Sequence, residues 1–116
     1  MMEQLRIASS KLMQLRHDIQ SNETDIKNHM NDYISGKHTQ YLSENIVTIR
    51  DGRYVLPVKQ EYKNKFGGVV HDQSASGQTL FVEPQAVLVL NNRQQNLLAQ
   101  ERQEIHRILI ELSELA

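Results

Sequence analysis

Gly67-Gly68-Val69-Val70-His71-Asp72-Gln73-Ser74-Ala75-Ser76-Gly77-Gln78-Thr79-Leu80-Phe81-Val82-Glu83-Pro84 is the stretch that decides how this chain folds. Two apolar runs, Val69-Val70 and Leu80-Phe81-Val82, flank a Ser/Gly-rich connection from Ser74 to Gly77. Ser and Gly accept turns while β-branched residues fill strands, so the stretch predicts a β-hairpin with a loop of a few residues. Pro84 closes it, because proline cannot continue a ladder yet suits the first turn of a helix.

Working upstream, residues 46–58 hold a second hairpin signal. Ile46-Val47-Thr48-Ile49 and Tyr54-Val55-Leu56 are β-rich runs, and Asp51-Gly52 between them is a strong two-residue turn signal. Pro57, which has no N–H to donate, places the second of these strands at a sheet edge. Residues 60–66 read as polar and irregular, with room for one helical turn. Residues 46–83 therefore predict four short strands in two hairpins, forming one antiparallel sheet.

Both flanks are helical. Leu12, Leu15, Ile19, Ile26, Met30 and Tyr33 share one stripe at helical spacing. Ser9 or Ser10 can cap its start, and Gly36 can end it in a left-handed conformation. A helix over about 10–35 would be about 39 Å long. Its weak point is the polar run Ser21-Asn22-Glu23-Thr24, where a bend is expected. Residues 38–45 read as a connection in which Tyr41 and Leu42 are available to pack. On the other side Leu97, Leu98, Ile105, Ile108, Leu109, Leu112 and Leu115 form a stripe, and neither Gly nor Pro follows Pro84. That helix, over about 85–115, would span about 45 Å. Residues 91–96 within it are wholly polar, so they must be solvated or partnered by polar groups. The fold class is α+β: two long helices flanking a small antiparallel sheet, an elongated arm treated as a single fragment over residues 1–116.

Composition removes several function classes. A net charge of −1 over 116 residues argues against a wholly basic nucleic-acid module. Cys is absent, which excludes disulfides, thiolate chemistry and Cys-based zinc sites. The longest apolar run, 86–90, falls far short of the roughly 18 residues a membrane span needs. No secretory pattern opens the chain, so a cytoplasmic location is expected and the Asn22-Glu23-Thr24 sequon is idle. The doubled methionine at Met1-Met2 reads as a start codon placed before an internal fragment.

Catalytic chemistry finds no support. The Ser74–Thr79 loop lacks the lysine of a phosphate loop, and a strand follows it where a helix should. His71 and Asp72 are neighbours on a strand and point to opposite faces, so with Ser74 or Ser76 they cannot form a nucleophile–base set. The five histidines, at positions 17, 29, 38, 71 and 106, show no metal-ligand spacing. One basic constellation stands out: Arg50, Arg53, Lys59, Lys63 and Lys65 against Asp51 and Glu61 within residues 46–66. Such an excess on hairpins can contact phosphates, or it can merely solubilise an edge strand; on the residues alone the second reading leads. Ile105, Ile108, Leu112 and Leu115 have the spacing of a short coiled-coil seam and are the candidate association stripe.

Residues 46–59, Ile-Val-Thr-Ile-Arg-Asp-Gly-Arg-Tyr-Val-Leu-Pro-Val-Lys, followed by the 67–84 stretch quoted above, closely resemble the bacterial type-two MutS family. These are MutS-like DNA-processing ATPases described as suppressors of recombination, with an attached Smr nuclease domain, and also implicated in rescuing collided ribosomes. The resemblance implies a core, lever and clamp segment that transmits and grips. It implies double-stranded or branched DNA, or the ribosome and its rRNA, as partners, a homodimer, and no membrane. ATP and magnesium are implied for the parent protein, whereas no cofactor is expected in this fragment. The chain has no Gly-rich loop ending Gly-Lys-Ser/Thr and nothing resembling the Smr nuclease, so no family catalytic residue carries over. The alternative function is a protein-interaction or dimerisation arm without nucleic-acid contact.

Overall fold

A computed structural model describes the backbone of residues 2–115 and the side chains of residues 10–114. Helix α1 (Met2–Ser35) leads into a 3₁₀ turn (Lys37–Tyr41) and then strands β1 (Thr48–Arg50) and β2 (Arg53–Lys59). A second 3₁₀ turn (Gln60–Tyr62) runs into the one-turn helix α2 (Lys63–Phe66). Strands β3 (Val69–Gln73) and β4 (Thr79–Glu83) follow, then a third 3₁₀ turn (Gln85–Val87) and helix α3 (Leu88–Leu115). Both hairpins form as their turn residues require. Asp51 and Gly52 both take positive φ, at 55° and 73°, the combination a tight two-residue hairpin turn needs.

The four strands make one antiparallel sheet in the order β1-β2-β4-β3. This corrects the edge placement of Pro57, because β2 lies inside the sheet. The ladder tolerates the proline for a geometric reason. β1 pairs only as far as Val55, and beyond it the outer side of β2 meets residues 42–43. There the Pro57 carbonyl accepts from the Ser43 N–H at 2.9 Å. In a strand the N–H and C=O of one residue point the same way, so the missing Pro57 donor faces that open side and not β4.

Alternation along the strands puts Leu56, Val58, Leu80 and Val82 on one face. They join Ile26 and Met30 of α1, Leu42 and Val87 in the buried core. Gly68 is required where the chain enters β3: its φ is 86°, and a Cβ there would lie 2.4 Å from the Glu83 carbonyl.

Helices α1 and α3 pack antiparallel. Arg16 Nε meets Glu101 Oε2 at 3.3 Å and Lys11 Nζ meets Glu104 Oε2 at 3.6 Å, whereas Asn22 further along α1 meets Gln94. The pair makes an arm of 59 × 27 × 18 Å with the sheet at one end. A radius of gyration of 18.7 Å exceeds the roughly 13 Å of a compact domain of this length. Three local expectations differ. Helix α1 starts at Met2, so residues 9 and 10 lie within it and neither is its first residue, the Ser9 side chain being outside the described residues. It runs unbroken through residues 21–24. Gly36 leaves it at φ −114°, not left-handed; a Cβ there would sit 2.7 Å from the Asp32 carbonyl.

Candidate nucleic-acid interface

The five basic residues singled out in the sequence fall into two groups. Arg50 and Arg53 lie opposite one another where β1 turns into β2. Lys59 ends β2, and Lys63 and Lys65 belong to α2.

Arg53 is committed to the interior. Its side chain is 11% exposed and grips Glu83, itself 1% exposed, by a two-pronged pair: Nε donates to Oε1 at 2.7 Å and Nη2 to Oε2 at 2.5 Å. Nη2 also donates to the Leu88 carbonyl and Nη1 to Gln95 Oε1. The guanidinium therefore has little capacity left for a phosphate. Arg50 lies across the outer face of the sheet, its guanidinium 4.2 Å from the Phe81 ring centroid and its Nε 3.4 Å from Asp72. It is 39% exposed and its ion pair faces solvent, so it can exchange Asp72 for another anion.

Glu83 is the junction of both hairpins and α3. Val70 pairs with Val82 and Asp72 with Phe81, so His71 is the extra residue of a β-bulge. The bulge turns its ring toward Glu83, where Nε2 donates to Oε1 at 2.7 Å. Asn91 of α3 donates to Oε2 at 2.8 Å. Burial alone would raise the Glu83 carboxyl, but hydrogen bonds from Arg53, His71 and Asn91 outweigh it and hold the group below its ordinary range. The same Asn91 amide exchanges two 3.1 Å bonds with the backbone of Tyr54. The β2–β4 register would pair Tyr54 with Pro84, which has no donor, so Asn91 stands in for the missing strand residue. His71 and Asp72 thus serve different partners, Glu83 and Arg50.

Lys59, Lys63 and Lys65 sit at the sheet end of the arm with an aromatic cluster. Lys63 and Lys65 are exposed and Lys59 is half-buried, its Nζ 6.0 Å from the Tyr62 ring centroid. Tyr62 meets Tyr41 edge-on at 5.1 Å, and Phe66 lies 5.4 Å from Tyr33. Lys37, between the expected helix end at Gly36 and the connection 38–45 and left out of the basic constellation, starts the neighbouring 3₁₀ turn and is exposed as well. Among the described residues none of these four lysines makes an ion pair.

On the association stripe, Ile105 and Ile108 are half-buried on α3, which meets α1 through buried Gln94 and Glu104. Leu112 is 40% exposed, and Leu115 lies outside the described side chains. The exposed apolar surface is centred one residue over, at Leu109 (57%) and Ile110 (46%). No group of His, Asp or Glu among the described residues could hold a metal ion, and no described helix is long and apolar enough to cross a membrane.

An elongated helix pair carrying a four-stranded sheet agrees with the arm expected from the sequence, and comparison with known proteins bears on the family. No family model matches the chain. It is 99% identical over 109 residues to the Endonuclease MutS2 of Lactobacillus johnsonii, covering 94% of this chain and 14% of that protein. With the Endonuclease MutS2 of Lactobacillus helveticus it shares 70% identity over 98% of its length, and with that of Latilactobacillus sakei 59% over 95%, again 14% of each relative. The chain belongs to the MutS2 branch of the MutS family and spans about one-seventh of the length of the relatives it matches.

Proposed function

We propose that this chain is a non-catalytic lever-and-clamp segment of a MutS2-type protein, whose sheet end contacts the phosphate backbone of a nucleic acid. The observation that carries the reading is the placement of Lys37, Lys59, Lys63 and Lys65 at one end of a rigid arm without intramolecular ion pairs among the described residues. Arg50 extends the positive surface across the outer sheet face. Arg53 has a different part: by holding Glu83, and through it Asn91, it fixes the sheet to α3. Movement of the helix pair is thereby passed to the sheet end. ATP turnover and strand cleavage belong to other parts of the parent, and a cytoplasmic location fits such a task.

Titration of labelled duplex DNA and duplex RNA tests the reading. Three to four phosphate contacts give a log–log salt slope of about −2.7 to −3.6 on B-DNA, with weak affinity near the roughly 10⁻⁴ to 10⁻⁶ M of non-specific binding. Lys59→Ala/Lys63→Ala/Lys65→Ala should abolish it. Equal binding by wild type and variant, or none by either, overturns the proposal. A second reading, an interaction arm, is favoured by the apolar surface of Leu109, Ile110 and Leu112.

A further inference from the structure

The aromatic residues beside the lysines present ring faces as well as polar edges, and ring faces do not bind phosphates. His38 is exposed, yet three rings back it: Tyr33 with centroids 5.0 Å apart, Tyr41 at 6.1 Å and Phe66 edge-on at 6.4 Å. Tyr41 in turn contacts Tyr62, over which Lys59 reaches. The cluster is assembled from α1, the 3₁₀ turns and α2, so its rings are held from several directions. Its two surface segments, Lys37–Tyr41 and residues 59–66, carry four lysines against one glutamate, Glu61.

A backed, solvent-facing ring surrounded by cations is the arrangement on which an unstacked nucleobase can lie while phosphates meet the lysines. A ring already fixed by its neighbours loses little freedom when a base settles on it. A duplex keeps its base faces occupied and can offer such a surface only its backbone. We infer that the tip formed by His38, Tyr41 and Tyr62 with Lys37, Lys59 and Lys63 is a stacking platform for unpaired nucleobases. The partner is then a nucleic acid with exposed bases: a single strand, a loop or the open arm of a branch. This inference rests on the proposed nucleic-acid contact and sharpens it.

The test uses the 116-residue chain and a short strand carrying 2-aminopurine, prepared as DNA and as RNA, each single-stranded and annealed. Wild type should bind the single strands more tightly than the duplexes and change the 2-aminopurine emission, which phosphate contact alone leaves untouched. His38→Ala should weaken single-strand binding about fivefold or more and remove the emission change, with duplex binding kept. His38→Phe, which retains a ring, should restore both. Circular dichroism checks that the exposed substitutions leave the fold intact. If His38→Ala matches wild type on single strands, or strand and duplex bind alike, the platform is overturned while the phosphate contact stands. If no nucleic acid binds at all, both fall. DNA and RNA arms together show which sugar the tip prefers.

Discussion

Glu83 decides more of this structure than any other residue. Its carboxylate is buried and receives Arg53, His71 and Asn91, so removing it strands a guanidinium with 11% exposure in the interior. Glu83→Leu should cost about 3–5 kcal/mol, as breaking a buried pair from one side does, readable by urea denaturation. The acid response has a definite sign. Glu83 titrates below its ordinary value when folded, so its contribution is complete above the unfolded value of about 4.3 and is lost as pH falls through the folded one. Stability measured from pH 6 down to 3 should therefore fall more steeply for wild type than for Glu83→Gln, and parallel curves would refute the role. Little of this was legible in the sequence. The partners stand 30, 12 and 8 residues away, and the one local sign was a carboxylate closing an apolar strand just before Pro84. In the sequence Arg53 shows only its charge, and a charge does not tell in advance whether it will face solvent or a buried acid.

The two hairpins and two long helices were readable because turn chemistry and apolar periodicity are local properties. Sheet order was not, because the β2–β4 pairing joins hairpins whose contact no short motif encodes. That is why Pro57 suggested an edge yet lies within the sheet, with its missing donor turned to the side β1 leaves open. The polar run at residues 21–24 misled for a similar reason. Asn22 is 3% exposed and donates to the Leu90 carbonyl at 2.9 Å and Gln94 Oε1 at 2.8 Å, pinning α1 against α3. The polar stretch of α3 is accordingly partnered where it meets α1, and polarity on both helices was the available clue. Asn22→Ala should destabilise by about 1–3 kcal/mol because it leaves buried polar atoms unpaired, whereas Asn22→Leu/Gln94→Leu should cost far less. Thermal unfolding followed by circular dichroism distinguishes the two. Equal losses for both variants would mean that packing, not hydrogen bonding, holds this seam.

As a whole the molecule is a strut: a charged, aromatic tip at the sheet end and an apolar surface toward the far end of α3. The chain spans 14% of its relatives, so a large remainder of such a protein is available to cover Leu109, Ile110 and Leu112, exposed at 57, 46 and 40%. The isolated chain should accordingly self-associate at high concentration. Light scattering should report a mass above 13.4 kDa that returns to the monomer in Leu109→Glu/Ile110→Glu, and a strictly monomeric wild type at millimolar concentration would count against it. On the proposed function the lysine-bearing tip, and not the helix pair, meets nucleic acid. Amide chemical-shift mapping of the labelled chain during titration with a short duplex at low salt tests it most directly. Shifts should concentrate in residues 37–41 and 59–66 and vanish when salt is raised. An undisturbed tip, with shifts along α3 or none anywhere, would contradict the account.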